Sequence, residues 1–234
     1  MIISQKKSFE DVLEYLKDAK KVVITGCSEC ATVCKTGGEE EVEAMKAALE
    51  AEGKEVLATK VLTTSCNVLL NKKELKEIKG ELGDADAVLC MACGDGVQTV
   101  AKGVKKETYP ANDTMFVGET VRNGIFEEMC KTCGDCVLGR TAAIFPITRC
   151  GKSLLNGACG GSRDGKCEVI PENDCAWIEI YKKLKEQGKE ELLEEIQPLR
   201  GYKKVAYPRT INLRDQEKDG EEDEQFITTD IRSR

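Results

Sequence analysis

The chain has 234 residues and a formal net charge of −7, and it contains 13 Cys but no His. The missing His excludes Ser-His-Asp triads, Cys–His nucleophile pairs and Cys/His zinc sites, so any metal must be held mainly by sulfur and carboxylate. The negative charge argues against nucleic acid as a partner, because affinity for phosphate depends on basic patches. We expect no membrane span and no signal peptide, and therefore a cytoplasmic protein with reduced thiols.

The first 120 residues alternate helical and strand patterns. Ser8 is placed to cap a helix, and further helical patterns follow at 39–52, 71–80 and 95–102. Strands separated by helices favour parallel pairing. We therefore predict that residues 1–120 form a small three-layer α/β domain with a parallel, Rossmann- or flavodoxin-like sheet in the strand order 2-1-3-4. The predicted strands are 21–25, 55–62, 86–92 and 114–117.

The composition changes after about residue 121. Residues 130–175 hold seven Cys and seven Gly, with few apolar runs. Such a stretch cannot be stabilised by an apolar core alone and needs additional cross-links. We predict a Cys-rich, metal-binding domain over 121–198 that ends in helices. The first of these helices would be capped by Asn173 or Asp174 and would bear Trp177, Ile180, Tyr181 and Leu184.

Residues 199–234 are rich in charged side chains and lack helical periodicity. We expect an extended tail. Its aromatic residues suit an arm that wraps a partner, and plain disorder is the alternative. The aromatic residues are Tyr202, Tyr207 and Phe226.

The N-terminal cysteines follow the predicted strands. In an open parallel sheet, ligands bind beyond the carboxyl ends of the strands. Three separate loops would therefore bring thiols to one edge, and a 4Fe–4S cluster takes four Cys thiolates. Cys90 lies inside an apolar strand, where a structural role is expected. The candidate ligands are Cys27, Cys30 and Cys34 after the first strand, Cys66 after the second and Cys93 after the third.

The other seven cysteines form two groups, which we name the triplet (Cys130, Cys133 and Cys136) and the quartet (Cys150, Cys159, Cys167 and Cys175). The triplet has the C-x2-C-x2-C spacing of the first three ligands of a bacterial ferredoxin run, and a remote N-terminal thiol would complete it. A structural zinc site is the alternative for the triplet. The quartet would form a self-contained site, and its spacing suits iron–sulfur or zinc equally. Up to three metal sites would then use 12 of the 13 Cys.

Five stretches point to one family. They are GCSECATVCKTGGE (26–39), MACGDGVQTVAKG (91–103), YPANDTMFVGE (109–119), CGDCVLGRTA (133–142) and KSLLNGACGGSRDGKCEV (152–169). Together they resemble the small iron–sulfur subunit (MetV type) of acetogen-type methylenetetrahydrofolate reductase. The last stretch is similar to a Cys-rich C-terminal domain that relatives fuse to the flavin-containing barrel. Relatives often have Cys where Phe145 stands, so this chain has one ligand fewer.

The resemblance implies an electron-transfer and scaffolding subunit in one-carbon metabolism, as in the Wood–Ljungdahl pathway. Two or more 4Fe–4S clusters would relay electrons from a donor such as ferredoxin to the FMN of a catalytic partner subunit. That partner reduces 5,10-methylene-tetrahydrofolate to 5-methyl-tetrahydrofolate. The alternative is a zinc-binding structural or interaction subunit of the same or a similar flavoprotein complex, and zinc in the quartet is also compatible with clusters elsewhere.

Two further features bear on function. An independent thiol enzyme is disfavoured, because neither Cys30 nor Cys34 has a His to act as its base. Lys102, Lys105 and Lys106 form a candidate basic patch for an acidic electron donor, and a solvated helix surface is the alternative.

Overall fold

The computed structural model of the protein describes residues 1–199 and 207–213. The chain divides into two compact units, Met1–Glu128 (unit 1) and Met129–Arg234 (unit 2). The domain ranges predicted from composition stay a prediction. The described residues form seven strands: β1 (Ile2–Lys6), β2 (Lys21–Cys27), β3 (Glu55–Leu62), β4 (Ala87–Cys90), β5 (Glu107–Pro110), β6 (Asn112–Arg122) and β7 (Ile125–Cys130).

Four of these strands form a parallel sheet in the order β3-β2-β4-β5. The α/β fold predicted from the alternating patterns is confirmed, and so is the order 2-1-3 of the first three predicted strands. The identity of the fourth strand was wrong, because residues 114–117 lie in β6 and the fourth parallel strand is β5. The sequence of β5, ETYP, did not predict a strand, because it is short and ends in a proline. Proline within a sheet is found mainly on edge strands.

A second sheet has the order β1-β6-β7. β1 pairs antiparallel with β6, from Ile2 opposite Val117 to Lys6 opposite Asn112. The strand at the N-terminus was not predicted, since five residues with one irregularity in register give little periodic signal.

Both faces of the parallel sheet are covered. Successive residues of β2 point to opposite faces. Val23 belongs to one apolar cluster with Val88 and Val100, whereas Ile24 belongs to another with Leu49. This three-layer packing leaves the carboxyl edge of the sheet free for the loops that contain cysteine. The helices of unit 1 are α1 (Phe9–Tyr15), α2 (Cys30–Val33), α3 (Glu39–Ala51), α4 (Val68–Glu74), α5 (Lys79–Asp84) and α6 (Gly94–Val104).

Local capping explains where these helices begin. The Oγ of Ser8 accepts a hydrogen bond from the backbone N–H of Asp11 at 3.1 Å, which confirms the predicted cap. The helix predicted at 71–80 begins earlier, because the Asn67 side chain accepts the N–H groups of Leu69 and Leu70. A 3-10 turn at Leu75–Ile78 separates α4 from α5.

The described residues of unit 2 form little regular structure besides one helix of 11 residues. Its helices are α7 (Pro146–Arg149) and α8 (Ala176–Glu186), and it has 3-10 turns at Leu138–Arg140 and Glu190–Leu193. Trp177, Ile180 and Leu184 of α8 form its apolar cluster, as their spacing predicted.

The predicted cap of α8 was wrong. Cys175, and neither Asn173 nor Asp174, stands at the N-cap. The carboxylate of Asp174 instead pairs with the Lys166 ammonium at 2.7 Å. The longest helix of the described residues, α3, has 13 residues, and none of the described helices could span a bilayer.

Candidate metal-binding thiol sites

Five cysteines of unit 1 lie in loops that follow the carboxyl ends of β2, β3 and β4, and we call this region the thiol edge. Because these three strands are parallel neighbours, their following loops meet at one edge of the sheet. Cys27 is the last residue of β2, Cys30 begins α2 and Cys34 ends it. Cys66 lies between β3 and α4, and Cys93 is the N-cap of α6.

The thiol of Cys66 lies in a partly buried and electrostatically unfavourable environment at the thiol edge. Burial raises the pKa of the Cys66 thiol, and the nearby negative charges of Asp95, Cys93 and Cys27 raise it further. Such mutual repulsion is expected where several thiolates approach one another without a cation. A bound metal would reverse it, since a coordinating thiol is deprotonated by the ion's own charge.

Cys34 has a different environment from Cys66. Its Sγ lies 3.8 Å from the carbonyl oxygen of Ile2 in β1. Cys34 shares with Cys27 and Cys30 the C-x2-C-x3-C spacing from which a common ligand loop was predicted. Whether they share a site stays a prediction.

Cys90, the last residue of β4, is fully buried within the core of unit 1. Burial raises the pKa of its thiol to about 12. A thiol that stays protonated and has no access to solvent is a poor ligand and a poor nucleophile. This environment suits the structural role expected for it.

The loops of the thiol edge are held together by close backbone approach. The N–H of Cys27 donates to the carbonyl oxygen of Gly37 at 2.9 Å. A Cβ added to Gly37 would lie only 1.8 Å from the carbonyl oxygen of Met91, which follows β4. Gly37 is therefore required so that the loop after β2 can lie directly on the loop after β4.

Two buried amides beside this edge have one unpaired oxygen each within the described residues. Asn71 donates to the carbonyl oxygen of Ser65, next to Cys66, and Asn112 donates to that of Ala92, next to Cys93. The Oδ1 atoms of both side chains lack a partner there. Buried polar atoms without partners are uncommon in native proteins and accompany functional sites or bound groups.

The triplet lies in a loop of unit 2 that begins where β7 ends. Thr132 and Gly134 both have positive φ, so the chain turns sharply around the thiols. The backbone N–H of Thr132 donates to the Sγ of Cys130 at 3.3 Å. Cys133 is half-buried, and Cys130 and Cys136 are exposed. Which thiol would complete this site stays a prediction.

The quartet is brought together in unit 2. All four of its cysteines line one small cavity of about 20 Å³, together with Lys152, Glu168 and Trp177. The cysteines come from the end of α7, from two loops and from the N-cap of α8, so tertiary folding alone brings them to one place.

Backbone donors point at two sulfurs of the quartet. The N–H of Gly161 donates to the Sγ of Cys159 at 3.4 Å. Backbone N–H groups of Ile170, Val169 and Gly151 lower the pKa of Cys167, with a smaller contribution from the Lys152 ammonium. Hydrogen bonds to the charged form favour the thiolate, which is the form that binds metals.

The donor chemistry therefore fits a thiolate-bound metal or cluster. Among residues 1–199 and 207–213, however, no three Cys, Asp or Glu side chains converge closely enough to hold a metal ion. The predicted assignment of twelve cysteines to up to three sites accordingly stays a prediction. Trp177 is the cavity residue that sequence reasoning missed as a site residue. Its helical spacing assigned it to the core only. The available signal was its position two residues after Cys175.

The comparisons relate part of the chain to a known family. A family model described as "Methylene-tetrahydrofolate reductase C terminal" matches residues 109–203, about two fifths of the chain. The match relates this chain to methylenetetrahydrofolate reductase. It includes the triplet and the quartet in full and leaves the thiol edge outside. No curated protein matches the chain.

Proposed function

We propose that the chain is an electron-transfer and scaffolding subunit of methylenetetrahydrofolate reductase. Two or more 4Fe–4S clusters would link a donor such as ferredoxin to the FMN of a catalytic partner subunit that forms 5-methyl-tetrahydrofolate. When bound, such a cluster exchanges one electron at a time without taking part in bond formation. The proposal places the protein in the cytoplasm, where free thiols stay reduced.

The observation that supports a metal-binding role most is the quartet cavity. Four thiols that are 25 residues apart at the extremes line one cavity, within the segment that matches the reductase family. Backbone donors favour the thiolate of Cys167, and Trp177 and Ala176 contribute apolar surface to the cavity. The apolar surroundings of a metal site help to set its potential.

At the thiol edge, this chain's own groups would position ligands. The contact of Gly37 with Met91 fixes the loops after β2 and β4 relative to each other. The N-terminus of α6 follows Cys93 directly, and its partial positive charge stabilises anionic groups. Half-buried Cys93 and exposed Cys66 keep a route to the surface for an electron partner.

The C-terminal stretch of unit 2 suits contact with a catalytic partner. Ile196 is 83% and Leu199 is 98% exposed. Ile211 and Leu213 are also largely exposed. Apolar side chains that are exposed along one segment are available for a partner to bury. Tyr202 and Phe226, which were predicted to anchor the tail, lie outside the described residues.

The alternative, a zinc-binding structural subunit, is favoured by one observation. The quartet cavity of about 20 Å³ has room for a single ion or water and much less than a cubane cluster occupies. Structural zinc sites commonly use four Cys thiolates. Zinc in the quartet combined with clusters elsewhere is consistent with the main proposal.

The deciding experiment is anaerobic purification of the full chain followed by iron, zinc and acid-labile sulfide analysis. We expect iron and sulfide in equal amounts, a brown colour, and a visible absorbance that bleaches with dithionite. Zinc alone, with no sulfide and no colour, would replace the main proposal with the alternative. Size-exclusion chromatography with the flavin-containing catalytic subunit tests the scaffolding role separately, and the absence of a complex would overturn that part.

A further inference from the structure

A groove in unit 1 is lined by lysines. It has a volume of about 500 Å³ and lies between the α4–α5 stretch and the end of α6. Its floor includes Leu75 and Leu82, which are almost completely buried. Among the described residues, every residue that lines it is Lys, Leu, Val or Gly. We call it the lysine groove, and its lysines are Lys72, Lys76, Lys79, Lys105 and Lys106.

Most of this positive charge is not neutralised within the described residues. Lys72, Lys76, Lys79 and Lys105 are exposed, and none of them forms an ion pair there. Lys106 differs, since its ammonium donates to the carbonyl oxygens of Gly83 and Ala85 at 2.9 and 2.7 Å. Five cations around one groove are unexpected on a chain with a net charge of −7. Like charges repel, so bringing these lysines together costs free energy in the free protein.

The groove is distinct from the thiol edge. Cys93 stands at the beginning of α6 and Lys105 directly after its end. The eleven residues of α6 separate the two by about 16 Å. Lys106 precedes β5, at the amino end of the parallel strands, whereas the cysteines follow the carboxyl ends. A partner in the groove would therefore leave the thiol edge uncovered.

Lys105 occupies a backbone conformation that favours glycine. It ends α6 with φ of 52° and ψ of 33°, in the left-handed region. Gly or Asn is the usual residue at this position, because a side chain there is strained. A lysine at this position adds charge to the groove at a cost in stability.

We propose that the lysine groove binds an acidic segment of a protein partner. Lys72, Lys76 and Lys79 lie in α4, in the 3-10 turn and at the start of α5, so their charges are distributed over three successive segments. Distributed charges suit the repeated carboxylates of an extended peptide better than a compact phosphate, which is usually held by converging arginine forks or glycine-rich loops. The apolar floor suits leucine or valine side chains of the same segment. No aromatic side chain lines the groove, so it offers nothing on which a nucleotide base could stack.

The test uses the full chain and a fluorescein-labelled synthetic peptide of Glu and Asp with interspersed Leu. Binding is measured by fluorescence anisotropy at low salt and again at high salt. We expect saturable binding that salt weakens. The variant Lys72→Gln/Lys76→Gln/Lys79→Gln should bind at least about tenfold more weakly. The matched control Lys20→Gln/Lys182→Gln/Lys183→Gln, at three exposed lysines elsewhere, should bind like the parent.

A second variant separates binding from folding. Lys105→Gly removes one charge and relieves the left-handed strain, so it should keep or raise the melting temperature while it weakens peptide binding by about two- to fivefold. Equal weakening in the control variant would overturn the proposal by showing non-specific attraction. Displacement of the peptide by tripolyphosphate at a lower concentration than by an unlabelled acidic peptide would also overturn it, in favour of a compact-anion site. Absence of any peptide binding would overturn the proposal as well. None of these outcomes depends on metal content.

Discussion

Trp177 and Cys167 line the same small cavity in unit 2, together with the other three quartet cysteines. Trp177 is the one tryptophan of the chain. Its side chain is nearly buried, and its Nε1–H donates to the carbonyl oxygen of Leu154 at 3.2 Å. The intrinsic tryptophan fluorescence of this protein therefore reports on the surroundings of the quartet.

We predict that removing metal from the quartet changes this fluorescence. An iron–sulfur cluster beside the indole would quench it by energy transfer, so anaerobic chelation should raise the emission severalfold. A zinc ion would not quench, and its removal should shift the emission maximum as the cavity opens. Trp177→Phe should abolish the signal and leave the metal content unchanged. Complete metal release from the chain with no change in emission would contradict a metal in the quartet.

Each quartet cysteine should be required for metal binding there. Changing Cys150, Cys159, Cys167 or Cys175 to Ser removes a thiolate, so the affinity should fall by more than the roughly 10- to 100-fold that loss of an outer-shell partner costs. The measurement is metal per chain after dialysis against a competing chelator. Cys90→Ala is the matched control, since Cys90 is fully buried in unit 1. If the four variants retain metal as the control does, the quartet is not a metal site.

Cys90 should make the stability of the fold depend on pH in the alkaline range. Burial raises the pKa of its thiol to about 12, above the ordinary value of about 8.5. The folded state therefore holds this proton more tightly than the unfolded state. This contribution to the free energy of unfolding is fully present below about pH 8.5 and is lost as the pH rises toward 12. At about pH 10 the loss is about 2 kcal/mol.

Urea unfolding of the metal-free chain at about pH 8 and about pH 10 measures this loss. The same pair of measurements on Cys90→Ala subtracts the contributions of all other groups, so the difference between the two proteins isolates Cys90. An identical fall in both proteins would show that Cys90 titrates normally. Iodoacetamide should also leave Cys90 unmodified until the chain unfolds.

Gly37→Ala should disrupt the thiol edge. The added Cβ would lie 1.8 Å from the Met91 carbonyl oxygen, so the loops after β2 and β4 must separate. We expect a loss of at least about 1–3 kcal/mol in the free energy of unfolding, as for other overpacked sites. Gly80→Ala is the control: nothing lies within 4 Å of the new methyl group, and alanine favours the helix. A Gly37→Ala protein as stable as the parent would contradict the close packing of these loops.

Truncation after Arg200 should weaken assembly with the flavin-containing catalytic subunit. It removes Tyr207, Ile211 and Leu213, whose side chains are largely exposed and available for contact. A shorter truncation after Leu213 retains these residues and removes Phe226, so comparing the two locates the contact. The measurement is co-elution in size-exclusion chromatography. Unchanged assembly of both truncated chains would show that the tail takes no part.

The sequence predicted the parts of the fold that depend on local pattern. The helix capped by Ser8 and the apolar face of α8 follow from spacing within a few turns, and both are present. The prediction that residues 114–117, and not β5, form the fourth parallel strand was an error of long-range pairing. Both segments look like strands, and only the pairing of β6 with β1, more than 100 residues away, decides between them.

The same distinction between local pattern and long-range packing applies to the candidate sites. With 13 Cys and no His, the sequence by itself determined that the chemistry is that of thiols, and the cysteine spacings determined which loops contain them. Only the tertiary structure decided that the quartet shares one cavity and that lysines from α4, α5 and the end of α6 form one groove. It also decided that Cys66 lies near Cys93 while Cys34 faces β1. The physical reason is that ligand chemistry belongs to each side chain, whereas proximity depends on which distant segments pack together to bury their apolar surface.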